Sequence, residues 1–394
     1  MANVSSSNGL EKRPKLRFPG FDEPWKETAL SSVLTERNEY AEKDGTYEHA
    51  TLSKEGIYGK TARYDRDFLV STENKKYKVT HLGDLCYNPA NLKFGVICLN
   101  TYGDAIFSPI YVTFEIEASF DPDFIGAYLT RWDFINRALK YQQGTVYERM
   151  AVSPEDFVSI KCCFPQKAEQ TRLAEFITLL DKRIAAQGKY VEFLKKYKRG
   201  LLSSVFSQNV SLFSTAAFYA FSELAVRRSE KYDPKCNAHA VCIELEHIEQ
   251  ETGRIIGSTC ADYQNSIKTV CKPGDVMFGK LRPYLRKYAF VQKECVCSSE
   301  IWSLIPTDIV IPKYLFYLIQ SEAFMKAANV SSGTKMPRAE WSTIAKSGYP
   351  IPSKDDQQAT VDILETTDRI IVSHVASYDR LIEYKKGLLQ RLFI

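Results

Sequence analysis

The chain has 394 residues, of which 44% are hydrophobic, so it is globular and long enough to form two cores. Its formal net charge of +4 permits an acidic partner without requiring one. No run of about 18 apolar residues exists, so the sequence predicts no membrane span. The ten cysteines lack metal-ligand spacing, which indicates reduced thiols in a cytoplasmic protein.

An internal repeat organises the chain. The segment that starts at Phe164 aligns without a gap with the one that starts at Ile351, at a constant separation of 187 residues. Further matches at separations of 191 to 189 pair Gly83-Asp84 with Gly274-Asp275 and Gly144-Thr145 with Gly333-Thr334. A period this long excludes a solenoid. It predicts two copies of one large unit.

In chain order we predict five segments. Residues 1–21 are expected to be a flexible basic tail, and no secretory signal is expected because Met1–Gly9 has no apolar core. A first globe covers 22–163 and a first long helix 164–211. A second globe covers 212–350 and a second long helix 351–394.

Both globes are predicted to be α+β. Short β-like runs are broken by turns, for example Ile106 to Phe114 and Val270 to Phe278, and favour mixed or antiparallel sheets. Each globe also carries a helical stretch, Phe124 to Leu139 in the first and Tyr314 to Ala328 in the second.

The two long helices carry an apolar seam with alternating steps of four and three residues, which is typical of a helix that packs on another helix. We predict that they pack as an antiparallel coiled coil that relates the globes by pseudo-twofold symmetry. Gln187 and His374 share the middle position, where a polar side chain can fix the register. The candidates for helix packing or partner docking are Leu173, Ile177, Leu180, Ile184, Gln187, Leu194, Leu201, Leu364, Ile371, His374, Leu381 and Leu388.

Basic and aromatic residues alternate in both globes, a pattern that fits DNA because lysine and arginine neutralise phosphates and arginine also reads base edges. The same pattern also occurs in solvated loops. The candidate DNA-binding residues are Lys54, Lys60, Arg63, Arg66, Lys75, Lys76, Lys78, Arg149, Lys280, Arg282, Tyr284, Arg286, Lys287 and Arg338.

No catalytic or metal site is predicted. The chain has no GxxxxGK[ST] loop for nucleoside triphosphates. A DNA aminomethyltransferase would need an Asn/Asp-Pro-Pro-aromatic motif, and the nearest segment, Asn88-Pro89-Ala90-Asn91, lacks the second proline and the aromatic residue. No GxSxG or HExxH motif is present either.

The whole chain resembles the specificity subunit of type I restriction–modification systems. The resemblance rests on the alternation of globe and repeated helix and on the opening Pro14–Phe21 with Trp25. It rests also on Gly333-Thr334 with Pro337-Arg338 before the second helix, and on the Lys-rich Gly-Leu-Leu ending of each helix. The first copy has Glu148 where that family usually has the proline before Arg149.

The resemblance implies a non-catalytic DNA reader. The globes would be target-recognition domains that read two different halves of a bipartite site in double-stranded DNA, and the helices would set the spacer between them. Two methyltransferase subunits would dock on the helices and bring S-adenosylmethionine, and restriction subunits would use ATP and Mg²⁺. No cofactor is expected on this chain. The alternatives are a duplicated coiled-coil scaffold without a DNA role and a self-sufficient methyltransferase, which the missing motifs disfavour.

Overall fold

The computed structural model describes residues 12–43, 45–60, 76–144, 150–207, 216–235, 239–261, 265–330 and 336–394. The chain forms two compact units. Unit 1 comprises Met1–Ala186 with Asp379–Ile394, and unit 2 comprises Gln187–Tyr378. Both boundaries lie inside long helices, so each unit contains one globe and a part of each helix. Across the described ranges, no helix is long and apolar enough to cross a membrane.

Unit 1 contains eleven strands and three short helices in the described part of its globe. The strands are β1 (Lys26–Ala29), β2 (Leu34–Glu36), β3 (Tyr40–Ala41), β4 (Glu48–Ser53), β5 (Gly56–Gly59), β6 (Tyr77–Thr80), β7 (Leu85–Tyr87), β8 (Ile97–Leu99), β9 (Ala105–Phe107), β10 (Val112–Ile116) and β11 (Lys161–Phe164). The helices are α1 (Pro122–Leu129), α2 (Trp132–Ala138) and α3 (Pro154–Ser159). The 39-residue helix α4 (Lys167–Val205) follows and continues into unit 2.

Unit 2 repeats this plan. The strands of its globe are β12 (Ala217–Ala220), β13 (Ala225–Arg227), β14 (Lys231–Tyr232), β15 (Val241–Ile243), β16 (Thr259–Cys260), β17 (Lys268–Cys271), β18 (Val276–Gly279), β19 (Tyr288–Phe290), β20 (Cys295–Cys297), β21 (Ile301–Pro306) and β22 (Gly348–Ile351). Its short helices are α5 (Phe221–Leu224), α6 (Pro312–Leu318), α7 (Glu322–Ala328) and α8 (Trp341–Ile344). The 39-residue helix α9 (Lys354–Leu392) follows.

The described strands of each globe form one two-stranded, one four-stranded and one five-stranded sheet. In unit 1 the orders are β1-β11, β2-β10-β7-β8 and β3-β6-β9-β4-β5. In unit 2 they are β12-β22, β13-β21-β18-β19 and β14-β17-β20-β15-β16. Each five-stranded sheet contains one parallel pair, β4 with β9 and β15 with β20, among antiparallel neighbours. The predicted α+β class is confirmed.

The Gly-Asp matches of the repeat mark a turn that anchors an ion pair in each globe. Asp84 follows Gly83, whose φ of +90° suits glycine, and accepts two hydrogen bonds from Arg37 at 2.9 and 3.0 Å. Asp275 does the same for Arg228 at 2.6 and 2.7 Å. Both carboxylates are almost fully buried. The bond to Asp84 raises the pKa of Arg37, so this arginine stays charged and ties β2 to the turn before β7.

A repeated glutamine fixes the start of each long helix. Gln170 donates to the carbonyl oxygen of Pro165 at 2.9 Å and accepts from the backbone N–H of Asp121, just before α1, at 3.0 Å. Gln357 makes the equivalent bonds to Pro352 at 3.0 Å and Ile311 at 2.8 Å. The buried amide thus satisfies one backbone acceptor and one backbone donor. This explains why both Pro and Gln recur in the repeat.

Within each unit the segments of the two helices run antiparallel. In unit 2 the ring of Tyr190 packs edge-on against His374, while Lys198, two turns further along α4, meets Asp368, earlier on α9. Gln187 donates to the His374 carbonyl at 3.0 Å and lies 2.9 Å from its Nδ1. In unit 1 Lys385 of α9 pairs with Asp181 of α4. This is the same Lys–Asp pair, with the lysine now on α9 and the aspartate on α4. The predicted antiparallel pairing is confirmed within each unit.

The seam residues lie where the spacing places them. Leu173, Ile177 and Leu388 are buried in the core of unit 1, which also takes in Leu180. Leu364 is buried in the core of unit 2, and Leu201 packs against that core. Leu194 of α4 is also buried. The remaining candidates are half-buried: Ile184, Gln187, Ile371, His374 and Leu381.

Residues 12–21 are packed, where the sequence predicts a flexible tail. Arg17 donates two 2.7 Å hydrogen bonds to Glu169, whose side chain is 2% exposed. The Leu16 N–H bonds to the Arg391 carbonyl at 2.9 Å, and Phe18 packs edge-on against Phe176. The basic composition suggested solvation, but this arginine neutralises a buried carboxylate. Residues 1–11 lie outside the described ranges.

The Lys198–Asp368 contact gives a prediction about stability. The two groups are 2.7 Å apart, and the lysine also donates to Gln320 at 3.0 Å, with 10% of its side chain exposed. Lys198→Ala should lower the free energy of unfolding by about 2–3 kcal/mol, because it leaves partly buried acceptors without their cation. Lys196→Ala, on the exposed face of the same helix, should change it by less than about 0.5 kcal/mol. Urea denaturation checks both, and equal effects would contradict a role for this contact.

Candidate nucleic-acid interface

The basic candidates of unit 1 are only partly placed. Lys54 is exposed at the turn between β4 and β5, beside Glu55 at 3.4 Å. Lys60 is half-buried and Lys76 is exposed, on either side of the segment 61–75. Three candidates in that segment, and one before α3, lie outside the described residues: Arg63, Arg66, Lys75 and Arg149.

Lys78 does not fit a DNA contact. Its side chain is 2% exposed, and its ammonium binds Glu36 at 3.1 Å and Asn38 at 2.8 Å inside the globe. In unit 2 a buried lysine opens the equivalent strand β17, where Lys268 bonds to Glu244 at 2.9 Å. Both lysines are buried and are neutralised by partly buried carboxylates. This burial corrects the prediction of Lys78 as a DNA contact.

Four of the candidates in unit 2 come together on one surface. The segment Pro337–Ala339 pairs with the turn after β18: Arg282 N–H donates to the Pro337 carbonyl at 2.7 Å, and Ala339 N–H donates to the Lys280 carbonyl at 2.8 Å. This pairing brings Lys280, Arg282 and Tyr284 next to Arg338, which forms a two-pronged pair with Glu300 at 3.1 Å. We call these four residues the basic turn. The two stretches were predicted separately, from a basic run and from the Gly-Thr…Pro-Arg segment.

The backbone of the basic turn is unusual. Arg282 and Arg286, on either side of a short 3₁₀ turn, both have left-handed conformations, with φ of +51° and +49°. Such conformations cost about 1–3 kcal/mol for a residue other than glycine and persist where their surroundings hold them. Arg282 is exposed, and 52% of Tyr284 is exposed. Both side chains are therefore presented to solvent from this turn.

Arg286 and Lys287, although part of the same basic run, are directed into the globe. Arg286 donates to Glu322 at 2.6 Å and has 19% of its side chain exposed. Lys287 donates to the Leu245 carbonyl at 2.6 Å. Composition alone could not separate these two residues from their exposed neighbours, because the direction of each side chain depends on the turn. Both serve the packing of unit 2, which corrects their prediction as DNA contacts.

The structure adds a cleft that the sequence did not reveal. It lies beside the basic turn, has a volume of about 620 Å³, and is lined among others by Arg227, Lys231, Lys280, Trp302 and Trp341. Arg227 is exposed, and its guanidinium lies over the rings of Trp341 and Trp302, 4.9 and 5.8 Å from their centroids. Its signal in the sequence was weak, because Arg227 is set apart only by preceding Arg228, the partner of Asp275.

The described residues show no arrangement for catalysis by a metal. Within them, no group of three or more His, Cys, Asp or Glu side chains could hold a metal ion. Burial raises the pKa of the Cys162 thiol to about 11 and that of Cys242 to about 12, so both stay protonated near neutral pH. The exposed surface of unit 2 instead offers cations and aromatic faces.

Comparisons with known proteins agree with this geometry. Residues 231–381 match the family model of the type I restriction modification DNA specificity domain. The chain is 22% identical over 269 residues to the type I restriction enzyme MjaVIII specificity subunit of Methanocaldococcus jannaschii, covering 61% of this chain and 63% of that protein. It is 28% identical over 145 residues to the HindI specificity subunit of Haemophilus influenzae, covering 35% and 31%. The chain is thus similar in sequence to type I restriction specificity subunits.

The match thus spans less than two thirds of the length of these curated relatives. Solved structures extend the likeness of fold to nearly the whole chain. A type I restriction–modification system S subunit from M. genitalium has a TM-score of 0.55 at 15% identity, covering 97% of this chain and 99% of that one. A structure concerned with complex assembly and conformational transition of the type I R-M system has a TM-score of 0.59 at 15% identity, covering 96% and 99%.

Arg282 and Arg286, at the two ends of the 3₁₀ turn, should differ in a stability measurement. Arg286→Ala should lower the free energy of unfolding by about 1–2 kcal/mol, because it removes charge-assisted hydrogen bonds from a mostly buried side chain. Arg282→Gly should leave it unchanged or raise it, because glycine adopts a φ of +51° without strain. Thermal and urea unfolding measure both. The assignment would be contradicted by a destabilising Arg282→Gly or a neutral Arg286→Ala.

Proposed function

We propose that this chain is the DNA-recognition subunit of a type I restriction–modification complex and has no catalytic activity of its own. The observation that carries the proposal is the match of residues 231–381 to a DNA specificity domain, a range that contains the basic turn and part of the lining of the cleft. The sheet orders recur in the globe of unit 1, which supports a second reading domain. The lining of the two globes differs, so the two half-sites should differ as well.

The contacts to DNA would be of two kinds. Lysines such as Lys280 and Lys231 would neutralise phosphates, which contributes affinity but no sequence information. Exposed side chains of the basic turn, such as Arg282 and Tyr284, would approach the base edges. Lys54, Lys60 and Lys76 remain candidates in unit 1.

The long helices would serve the partners. In unit 2 α4 exposes an aromatic stripe of Tyr190, Phe193 and Tyr197, exposed by 44, 60 and 52%, with Lys189 and Lys196 beside it. Exposed aromatic residues of this kind favour a protein interface. We propose that methyltransferase subunits dock along the helices and bring S-adenosylmethionine. Restriction subunits would join through them and use ATP and Mg²⁺.

The purified proteins test this proposal. The chain alone, supplied with S-adenosylmethionine, should transfer no methyl group to DNA, whereas its complex with a type I modification subunit should methylate one bipartite motif. Sequencing that detects methylated bases identifies the motif. In the complex, Arg282→Gly should weaken or relax one half-site only, and Arg286→Gln, altered on the buried side of the same run, should leave the motif unchanged. Methylation by the chain alone, or a complex without salt-dependent DNA binding, would refute the proposal.

A second test concerns the distance between the half-sites. Removing residues 184–190 from α4 and 375–381 from α9 takes out seven residues of each helix, about 10 Å, and keeps the two Lys–Asp pairs in register. If the helices set the spacer, methylation selected from a library of spacer lengths should shift to spacers shorter by about three base pairs. Removing seven residues from α4 alone, which breaks the register, is the control and should abolish methylation. Methylation by the double deletion at the original spacing would contradict this role.

A further inference from the structure

The cleft of unit 2 contains cations that the rest of the globe does not neutralise. Arg228 of the lining is paired with Asp275, and Arg338, just outside the lining, is paired with Glu300. The other cations of the lining, Arg227, Lys231 and Lys280, have no acidic partner in the described part of the chain. Lys231 donates to the Thr269 hydroxyl, at 3.3 Å. The surface is therefore charged for an anionic ligand and leaves these groups available to it.

Arg227 differs from the two lysines because its direction is fixed. Its guanidinium lies over Trp341 and Trp302, whose rings meet edge to face at 5.6 Å. Trp341 in turn packs against Phe221, and Trp302 against Phe278, both fully buried. A stacked guanidinium keeps its donor fork in one plane, which a lysine cannot do. The core of unit 2 thus holds a planar double donor at the mouth of the cleft.

The globe of unit 1 has the same backbone at this place but none of the three side chains. Arg227 on β13 pairs in register with Leu304, and Glu36 on β2 pairs with Phe114 at the equivalent position. Trp302 lies opposite Phe278, where unit 1 has Val112 opposite Tyr87. Trp341 opens α8, where α3 opens with Pro154.

Meanwhile the neighbouring ion pair is the same in both globes, Arg37 with Asp84 and Arg228 with Asp275. The scaffold is therefore kept, while the residue next to it on the strand changes from a glutamate to a stacked arginine. In unit 1 Glu36 pairs with the buried Lys78, whereas in unit 2 the buried Lys268 pairs with Glu244. Arg227 therefore has no such role in the fold, and its position is free to discriminate between ligands.

From these observations, and resting on the proposed function, we infer that Arg227, held by Trp302 and Trp341, is a specificity-determining residue that reads a guanine in the half-site of unit 2. The O6 and N7 atoms of guanine present two acceptors in the major groove, and a two-pronged arginine is the commonest contact to them. Lys231 and Lys280 lie in the same cleft and bind the flanking phosphates. Trp302 and Trp341 are positioning residues.

The test measures the methylated motif of the complex with a modification subunit, on a library randomised in both half-sites. Wild type should require a G·C pair at one position of one half-site. Arg227→Ala should lower the preference for that pair by about tenfold or more and leave the other half-site unchanged. Arg227→Lys should not restore it, since lysine keeps the charge but loses the fork. Trp341→Leu should weaken the same preference less, because the arginine is kept but its direction is released.

Lys293→Ala is the matched control: it removes one exposed positive charge from the same globe, outside the cleft, and should change neither half-site. Equal loss of affinity for all sequences in Arg227→Ala, with a shallower salt dependence, would identify a phosphate contact and overturn the inference. The inference would also be overturned if the Arg227→Ala complex methylated the same motif as wild type, with no position changed. A wild-type complex that methylates no bipartite site would instead refute the proposed function itself.

Discussion

Neither long helix can bury its apolar seam alone, and this constraint determines how the globes are completed. A helix that is polar on most of its surface gains its stability from packing, not from its intrinsic propensity. In unit 1 the seam of α4 meets residues of α9, and both join the core of the globe through Leu173, Ile177, Leu388 and Phe393. In unit 2 Leu202 of α4 and Leu364 of α9 do the same. The helices are thus parts of the two cores.

The repeated residues can be divided by what they contact. Gln170 and Gln357 bond to backbone, Arg37 and Arg228 bond to a buried aspartate, and Lys198 and Lys385 reach an aspartate on the other helix. Each contact holds a piece of scaffold. The residues that differ between the copies, such as Glu36 and Arg227, lie beside them on the strands. Duplication of the scaffold therefore leaves each lining free to change independently.

The sequence predicted the parts of the fold that depend on local pattern or on the repeat. Alternating steps of four and three residues located both helices, and the single match of Gln187 with His374 indicated where their polar pair lies. The sequence could not predict contacts between segments that are distant in the chain. From the sequence, Arg17 is expected to be a solvated charge, but in the structure it binds Glu169. Lys78 is expected to contact DNA, but its strand lies inside the sheet and its side chain binds Glu36.

The candidate site shows the same limit. The basic run after β18 was visible in the sequence, but its inward and outward side chains were not, because two residues with positive φ set their directions. The stacked arginine was missed for a further reason. The cluster consists of Arg227 on β13, Trp302 on β21 and Trp341 on α8. These elements are far apart in the chain and meet only when unit 2 has formed. Composition can detect a cluster along the sequence but not one assembled across it.

The core of unit 1 has a consequence for the order of events during synthesis. Phe393 packs against Trp25, Phe124 and Tyr128, and Arg131 stacks on its ring. These partners leave the ribosome before any residue of unit 2, whereas Phe393 is made after all of them. Domains generally fold as they emerge, but this one must keep part of its apolar surface open until the last segment of α9 arrives. The first globe to be translated is thus the second to complete its core. A chaperone that shields it would have the time in which the whole of unit 2 is synthesised.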